Sequence, residues 1–318
     1  MGKHYNQLTL KQRYHIQAFS EVGFSARQIA IDLGVSNKTV SRELKRCDEG
    51  AYQALVAEQD AIDKSQSASK HTKQSTVLRF NIHRLLKAGL SPEQIAGRLV
   101  LEKGLGIVSL QTIYRWVNAW GWHHLLVRQG RPYRPRHGAK AGVRCIPDRI
   151  DISERPSIVD ENSELGHWEG DTVYGQDGYF VTLTERVSKL FLVCKVDTKS
   201  KEAVSAAIRR LLRPYKSICK TITFDNGGEF ADHAAIAKTL GCRIYFAKPY
   251  CSYQRGLNEN TNGLLRRIYP KGEAISKVSE SDIADAQRAI NGRPRKALGF
   301  LSPLEFLTNQ RVSLIVGI

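Results

Sequence analysis

The spacing of apolar residues changes near residue 165 of this 318-residue chain, and this change constrains the fold more than any other feature. Before it, apolar positions recur at helical spacing after Ser and Thr residues that can cap helices. After it, short runs of β-branched and aromatic residues are separated by turn residues, which is typical of strands. The sequence therefore predicts a multidomain protein, with all-α units first and an α/β domain after them.

The second part of the chain is predicted to form a mixed sheet of five strands covered by helices. A hairpin turn at Gly175–Gly178 joins the first two strands, so these strands are antiparallel. Helices alternate with the later strands, which is typical of parallel strands in a layered α/β domain. The predicted strands are 168–174, 179–185, 189–196, 220–224 and 243–247, and the predicted helices are 201–212, 229–240 and 255–268.

Residues 8–47 carry three consecutive helix signals that match a helix-turn-helix. Thr9 and Ser25 can each form a capping box with a Gln three residues later, and Ser36 can cap a third helix. Gly34 suits the left-handed end of the second helix. A small helical bundle with a solvated basic face is the alternative. The side chains of the third helix that are predicted to meet base edges and phosphates are Asn37, Lys38, Thr39 and Arg42.

A second, looser copy of this pattern follows. The segment that begins at Ser91 aligns with the one that begins at Ser25, and both contain Gln-Ile-Ala. Pro92 suits the first position of a helix, and Ser109 can cap the matching last helix. The alternative is that one of the two units is purely architectural. The DNA-contacting candidates in the second unit are Gln111, Thr112 and Arg115.

Positive charge is concentrated in the first half of the chain. The formal net charge is +17, of which residues 1–150 contribute +13 and residues 151–318 contribute +4. A proline-interrupted basic segment contains Arg131, Arg134 and Arg136, which are candidates for contacting a DNA backbone, and a merely solvated linker is the alternative. The predicted division is 1–60 first helix-turn-helix, 61–80 linker, 81–125 second helix-turn-helix, 126–155 basic linker, and 156–318 α/β domain with a helical tail.

Three acidic residues stand in well-marked settings within the α/β region. Asp171 lies within a strand, Asp225 follows a strand expected at the centre of the sheet, and Glu259 lies opposite the apolar stripe of a helix. Converging carboxylates repel one another unless a cation is present. Their oxygens suit Mg²⁺ or Mn²⁺, and two such ions about 4 Å apart can support phosphoryl transfer. The apolar stripe is predicted to contain Leu257, Thr261, Leu264, Leu265 and Ile268.

Other polar residues near these motifs have two interpretations. Glu169 could support Asp171 or form an ion pair with an arginine. Glu229 is favoured as structural, because negative charge suits the first turn of a helix, and His167 is favoured as a packing residue. The candidates for holding DNA near the metal are Lys248, Arg255, Asn262 and Arg266. For the three cations among them, solvated surface charge is the alternative.

The sequence does not indicate a membrane protein or a disulfide framework. It contains no run of 18 or more apolar residues, and the first 30 residues lack a signal-peptide core. The six Cys residues are scattered without a Cys-x-x-Cys pair, which argues against a structural zinc site and fits a reducing compartment. The expected location is the cytoplasm.

Three motifs and a C-terminal signature are distributed over the α/β region. The motifs are Gly166–Asp171, Phe224–Phe230 and Gln254–Arg266, and the signature is Asn291–Gly299 followed by Ser302-Pro303. Thirty-three residues separate Asp225 from Glu259. Together with the tandem helical units, these features resemble the DDE transposases of the insertion sequence thirty family. Tyr253 is a departure, since Trp is expected there.

The resemblance implies an RNase H-like catalytic domain and recognition of terminal inverted repeats. It also implies strand cleavage and strand transfer with Mg²⁺ or Mn²⁺ held by Asp171, Asp225 and Glu259. Double-stranded DNA is the expected partner, the need to hold two ends predicts a homodimer or larger assembly, and the setting is the prokaryotic nucleoid. The alternatives are a DNA-binding regulator derived from a transposase and a nuclease that cuts without joining.

Overall fold

The computed structural model contains two compact units, Met1–Thr72 and Lys73–Ile318. The residues that it describes are 7–47, 51–67, 75–104, 108–127, 129, 146–249 and 251–316. Arg131, Arg134 and Arg136 lie outside them, so their predicted DNA contacts stay predictions. None of the described helices is both long enough and apolar enough to cross a membrane.

The described part of the first unit is all-α. Thr9 and Ser25 each form the predicted capping box with the Gln three residues later, and Ser36 accepts a hydrogen bond from the Thr39 N–H. The helices are α1 Leu10–Glu21, α2 Ala26–Asp32, α3 Asn37–Leu44 and α4 Ala54–Ser67. Their common core contains Ile16, Ile29, Val40 and Ala57. Helices α2 and α3 form the predicted helix-turn-helix.

Helix α4 extends across the boundary predicted at residue 60. Its Ala57 is fully buried in the core, and α4 packs against α1. Glu58 of α4 also pairs with Arg13, whose Nε lies 2.6 Å from Glu43 Oε1. The segment predicted as a linker from residue 61 therefore begins inside a helix that belongs to the first unit.

The second unit begins with a helical region that repeats this arrangement. Ser91 forms a capping box with Gln94, and Ser109 accepts a hydrogen bond from the Thr112 N–H. The helices are α5 Thr76–Lys87, α6 Pro92–Lys103 and α7 Leu110–Ala119. The buried apolar side chains include Leu78, Ile82, Ile95, Leu99, Ile113 and Val117. Helices α6 and α7 therefore correspond to α2 and α3.

The predicted mixed five-stranded sheet is confirmed. Its strands are β1 His167–Tyr174, β2 Tyr179–Glu185, β3 Phe191–Val196, β4 Thr221–Phe224 and β5 Arg243–Phe246, in the order β3-β2-β1-β4-β5. β2 is antiparallel to β1 and β3, whereas β4 is parallel to β1 and β5. The central strand is β1. The expectation that Asp225 follows the central strand was wrong, because β4 has only β5 beyond it.

Helices cover both faces of the sheet and create two cores. On one face, Ile208 and Ile236 are buried with Trp168, and on the other, Leu265 and Ile290 are buried with Phe180. The helix predicted from residue 229 begins only at residue 233, because Gly228–Phe230 forms a separate 3₁₀ turn. The helices are α8 Ile158–Glu161, α9 Lys201–Leu212, α10 His233–Leu240, α11 Gly256–Ile268, α12 Glu280–Asn291 and α13 Pro303–Thr308.

The C-terminal segment 293–316, which we call the C-terminal strap, returns to α5 and α6. Arg98 of α6 forms a buried ion pair with Glu305 of α13, with Arg98 Nη1 at 2.9 Å from Glu305 Oε2. Farther along the strap, the Leu314 N–H donates a hydrogen bond of 3.0 Å to Glu102. The second helical region is therefore bonded to the end of the chain within one compact unit.

Acid is expected to release the C-terminal strap. Burial by itself would raise the pKa of Glu102, but hydrogen bonds from the Leu314 and Ile315 N–H groups outweigh it and lower that pKa below 4.5. Burial by itself would also raise the pKa of Glu305, but the bond to Arg98 and the hydrogen bonds from the Ser302 and Val312 N–H groups together lower it. Carboxylates with lowered folded-state pKa values contribute stability that is complete above the unfolded pKa and is lost as pH falls through the folded pKa.

Hydrogen exchange within the strap should therefore accelerate as the pH falls from neutrality to about 3, after correction for the intrinsic exchange rate. The Glu102→Gln variant is the control. Its strap should exchange faster than that of the wild type at neutral pH and should respond less to acid, because one of the two titrating groups is gone. Equal protection of the wild-type strap at both pH values would contradict the expectation.

Candidate active site

Asp171 projects from β1, the central strand. Its Oδ1 accepts a hydrogen bond of 2.8 Å from the Thr172 N–H, and its Oδ2 accepts one of 3.0 Å from Asn262 Nδ2. The preceding residue must be Gly170, because a Cβ there would lie 2.3 Å from the ring of Phe224. The missing Cβ lets β1 lie close to the end of β4.

Asp225 directly follows β4 and lies beside Asp171. The parallel pairing of β1 with β4 places Glu169 opposite Thr223. Asp171 and Asp225 each follow these residues by two positions, so the same register places the two aspartates side by side. Asp225 Oδ1 accepts a hydrogen bond of 2.9 Å from the Gly227 N–H, which fixes the turn after the strand. The Asp225 side chain is 39% exposed, so its carboxylate can be reached from solvent.

Arg255 lies between the two aspartates. Its Nη2 donates to Asp225 Oδ2 over 3.2 Å, and its Nη1 donates to the Gly170 carbonyl over 3.1 Å. The same Nη1 lies 3.8 Å from Asp171 Oδ1. The arginine is buried, so one buried cation lies between two carboxylates from neighbouring strands.

Burial raises the pKa of Asp171 to about 6. The guanidinium of Arg255 opposes this shift, and the negative charges of Asp225 and Glu229 add to it. Arg255 therefore offsets only part of the effect of burial and of the two neighbouring acids on this pKa.

Helix α11 turns two asparagines toward the sheet, and this corrects the predicted apolar stripe. Asn262 bonds to Asp171, and Asn258 accepts a hydrogen bond of 3.1 Å from Thr184 Oγ1. Ile268, which was predicted to be buried, is 41% exposed. The helix lies over the polar edge of the sheet, so polar side chains face inward. Its buried residues are Asn258, Thr261, Asn262, Leu264 and Leu265.

Glu259 is exposed on α11, away from the core as predicted. Among the residues that the structure describes, no three His, Cys, Asp or Glu side chains are close enough together to hold a metal ion. The structure therefore brings together two of the three predicted ligands, Asp171 and Asp225, and does not gather Glu259 with them.

Glu169 and His167 on β1 both have structural partners. Glu169 is buried, pairs with Arg186 and accepts a hydrogen bond of 3.0 Å from the Asn258 N–H. The ion pair is thus the role of Glu169 that the structure shows. His167 is buried and its Nδ1 lies 2.8 Å from Thr221 Oγ1, which agrees with a packing role.

Glu229 lies in the 3₁₀ turn after Asp225 rather than in the first turn of a helix. Thr172 Oγ1 donates to Glu229 Oε1 over 2.8 Å, and Lys199 Nζ lies 2.8 Å from the same oxygen. These bonds tie the turn to β1, next to Asp171. The structural interpretation of Glu229 therefore agrees with its contacts, although helix-dipole stabilisation is not their cause.

The donor chemistry at the two aspartates fits a divalent cation. Asp171 and Asp225 offer carboxylate oxygens, which are the ligands that Mg²⁺ and Mn²⁺ prefer. Asn262 Oδ1 is buried beside them and has no hydrogen-bond partner within the described residues. It is a further oxygen donor at the same place. A cation here would also supply the positive charge that Arg255 alone does not.

Two family models match separate parts of the chain. A helix-turn-helix domain matches residues 4–47, and an integrase core domain matches residues 161–252. The first range includes α1 to α3, and the second includes both aspartates. Among solved structures, the catalytic core domain of BIV integrase is similar over 45% of this chain and 94% of that chain, with 20% identity and a TM-score of 0.36.

The chain is also similar to transposases over nearly its whole length. It is 41% identical over 315 residues to the transposase for insertion sequence element IS4351 of Bacteroides fragilis, covering 96% of this chain and 95% of that protein. It is 32% identical over 321 residues to transposase InsI for insertion sequence element IS30A of Escherichia coli (strain K12), covering 94% and 83%. The chain belongs to the insertion sequence thirty family of transposases.

This transposase exposes most of the predicted contact residues of its two helix-turn-helix units. Thr39 and Thr112 are half-buried, because their hydroxyls lie 2.8 and 2.9 Å from the Ser hydroxyls that cap α3 and α7. Their contacts with DNA stay predictions. The exposed candidates are Asn37, Lys38, Arg42, Gln111 and Arg115.

The four candidates near the aspartates divide into two pairs. Lys248 is exposed, and the guanidinium of Arg266 lies over the ring of Tyr174, 5.2 Å from its centroid. Arg255 and Asn262 are each only 8% exposed and are bonded to the aspartates. These two residues bond to the aspartates and present little surface, and their contacts with DNA stay predictions.

Sequence reasoning missed the bridging position of Arg255 and the inward direction of Asn258 and Asn262. One signal was available for Asn262, which follows Glu259 by three residues and so is its neighbour on the surface of α11. The contacts of Arg255 depend on how α11 crosses β1 and β4, and the spacing of residues in the chain carries no information about that crossing.

Proposed function

We propose that this transposase binds the terminal inverted repeats of its insertion sequence and uses a divalent metal to cleave and join DNA strands there. The observation that supports this is the placement of Asp171 and Asp225 on neighbouring parallel strands with Arg255 between them. Two adjacent carboxylates repel one another, so a purely structural role would not explain why Asp171 and Asp225 lie side by side where β4 ends.

The proposed reaction has two steps. Water attacks a phosphodiester at the end of the element, so that a P–O bond forms and the bond to the 3′ oxygen breaks. The freed 3′-hydroxyl then attacks a phosphodiester of the target, so that a new P–O bond forms and the bond to the target's own 3′ oxygen breaks. The proton lost by the attacking hydroxyl is balanced by the proton that the released target 3′ oxygen gains. Neither step needs a covalent bond between enzyme and DNA, so no Ser or Tyr nucleophile is assigned.

The residues of the site would hold the metal and orient its ligands. The Thr172 N–H and the Gly227 N–H each fix one oxygen of Asp171 and Asp225. The second oxygens accept hydrogen bonds from Asn262 and Arg255, and these oxygens would be the ones to bind the metal. Mg²⁺ or Mn²⁺, as a pair of ions in this proposal, supplies Lewis-acid stabilisation of the charge that develops on the phosphodiester. Arg255 would keep the two carboxylates together before the metal binds.

Glu259 is proposed as the third ligand, which joins the aspartates when metal and DNA bind. It is the helical neighbour of Asn262, whose side chain already bonds to Asp171. In the Glu259→Gln variant we expect Mn²⁺ to bind at least about tenfold more weakly, because a charged ligand is replaced by a neutral one. Titration calorimetry on the full chain with an element-end duplex measures this affinity.

Glu280→Gln is the matched control. Glu280, like Glu259, lies in the first turn of a helix and is exposed. The Glu280 change should leave Mn²⁺ affinity unaltered. If Glu259→Gln also bound Mn²⁺ with wild-type affinity, Glu259 would be removed from the ligand set.

A joining assay tests the function as a whole. The full chain is incubated with a labelled duplex carrying the end of its element, with Mg²⁺ and with a supercoiled target plasmid. Labelled end joined to plasmid supports the transposase reaction. Cleavage without joining would favour a nuclease, and binding without cleavage would favour a regulator derived from a transposase.

We also propose an assembly and a location. Holding two element ends together would require a homodimer or a larger assembly on double-stranded DNA, with the two helix-turn-helix units and the basic segment 126–155 contacting it. The named relatives come from bacteria, and the proposed location is the bacterial cytoplasm at the nucleoid.

A further inference from the structure

A cavity of about 550 Å³ lies where the N-terminus of α11 meets the end of β2. Gly256 and Leu257, the first residues of α11, form part of its wall. Four cationic and two acidic side chains among the described residues also line it: Arg155, Arg186, Lys189, Lys248, Asp160 and Glu169.

The two acids do not neutralise the four cations. Glu169 is buried, and its oxygens already accept hydrogen bonds from Arg186 and from the Asn258 N–H. Asp160 pairs with Arg155 and Arg186, but its side chain is 65% exposed, so solvent screens these interactions. Lys189 donates to a backbone carbonyl and not to a carboxylate. The wall of the cavity therefore carries excess positive charge.

Arg155 shows that this charge is incompletely satisfied. Its side chain is only 3% exposed, and its buried Nε has no hydrogen-bond partner among the described residues. Burial and the nearby charge of Arg186 both lower the pKa of Arg155, and the same two causes lower the pKa of Lys189. Burying adjacent like charges costs free energy, which an anion in the cavity would recover.

Two residues of the cavity wall are close along the chain to residues at the aspartates. Glu169 on its wall precedes Asp171 by two residues on β1, and alternate residues of a strand share one face. Arg255, which bridges the aspartates, immediately precedes Gly256 on the cavity wall. The N-terminus of α11 also presents backbone N–H groups and the positive end of its dipole there.

We propose that this cavity, which we call the cationic pocket, binds a backbone phosphate of the DNA strand next to the phosphodiester at Asp171 and Asp225. This inference rests on the proposed function and adds residues that position the strand. Arg186 and Lys189 would contact the phosphate, buried Arg155 behind them would add positive charge, and exposed Lys248 would stand at the entrance. Their role is positioning, since none of them touches the two aspartates.

The test is a methylphosphonate scan of the element-end duplex with the full chain in EDTA, so that no strand is cut. Each backbone position near the cleavage site is made neutral in turn, and the dissociation constant is measured. For the wild type, one position at or next to the cleavage site should weaken binding roughly tenfold, because a charge-assisted hydrogen bond is lost. The Lys189→Gln variant should bind the unmodified duplex more weakly than the wild type does. A methylphosphonate at the sensitive backbone position should then weaken its binding little further.

Arg155→Gln is a second pocket variant, and in it too the methylphosphonate at the sensitive position should have little effect. We call this dependence of the methylphosphonate effect on the pocket residue coupling. Lys238→Gln on α10 is the control. Lys238 is exposed and does not line the pocket, so its variant should keep the wild-type profile. Specific binding with a scan profile unchanged by Lys189→Gln would overturn the inference and leave the proposed function standing. Failure of the wild type to bind its element end would overturn both.

Inorganic phosphate and pyrophosphate distinguish a strand phosphate from a free anion. If either ion raised the melting temperature of the wild type but not of Lys189→Gln, while the DNA scan showed no coupling, the pocket would bind free anions, and the assignment to DNA would be wrong. Coupling in the DNA scan supports the assignment whether or not the free ions bind.

Discussion

Asp225→Asn is expected to reduce both strand cleavage and strand joining by about 10³-fold or more. The charged oxygen that faces Arg255 and the proposed metal is replaced, while the shape of the side chain is kept. A metal ion contributes several kcal/mol to stabilising charge in the transition state of phosphoryl transfer, and each 1.36 kcal/mol changes the rate tenfold. Gel analysis of labelled element-end duplex, with Mg²⁺ and target plasmid, measures both products.

The matched control is Asp197→Asn. Asp197 also follows a strand directly, since β3 ends at Val196, but it is exposed and lies at the opposite side of the sheet from β4. Asp197→Asn should keep full activity. Binding of the element end by Asp225→Asn should remain near that of the wild type, because the predicted recognition residues lie on α3 and α7. Retained joining activity in Asp225→Asn would remove Asp225 from the catalytic site.

Local sequence signals predicted the elements whose ends are determined by neighbouring residues. β2 and α9 have the predicted bounds, because an Asp-Gly turn precedes β2 and Ser200 caps α9. β3 was predicted to begin at Lys189 but begins at Phe191. Lys189 has a φ of 61°, which lies in the left-handed region and cannot continue a strand. A Lys-Leu-Phe sequence contains no turn residue such as Gly or Asn that would predict this left-handed conformation.

The candidate site was predictable only in part, for a different reason. The residue types around Asp171 and Asp225 predicted that their carboxylates lie close together. The register of β1 and β4 in the structure places the two residues side by side. Whether Glu259 joins them depends on the side-chain arrangement of one helix, which periodicity does not determine. The cationic pocket was not predictable, because Arg155 belongs to a segment that reads as a linker, while Arg186 and Lys189 belong to the β2–β3 turn.

The C-terminal strap was unpredictable because its contacts join distant residues. Arg98 and Glu305 are 207 positions apart, and neither lies in a motif that points to the other. The sequence division treated the second helix-turn-helix as separate from the α/β domain, whereas the structure places both within Lys73–Ile318. The buried ion pair and the hydrogen bonds of the strap therefore hold the second helical region within the same unit as the sheet.

Arg98→Met should destabilise Lys73–Ile318 by about 3–5 kcal/mol, because it leaves the carboxylate of Glu305 buried without its cation. All four Trp residues lie in this unit, so the urea dependence of tryptophan fluorescence reports its unfolding. Lys296→Met is the control, since its ion pair with Glu93 is exposed and should contribute less than about 1 kcal/mol.

The combined variant Arg98→Met with Glu305→Leu distinguishes the cost of an unpaired buried charge from the loss of other contacts of these two side chains. Replacing both members of a buried ion pair with apolar groups is often nearly neutral, so the double variant should recover most of the lost stability. A double variant as unstable as Arg98→Met would show that the strap depends on the hydrogen bond from Arg98 to the Phe300 carbonyl, or on the capping bond of Glu305 to the Ser302 N–H. An Arg98→Met protein as stable as the Lys296→Met control would show that the strap does not hold the second helical region in place.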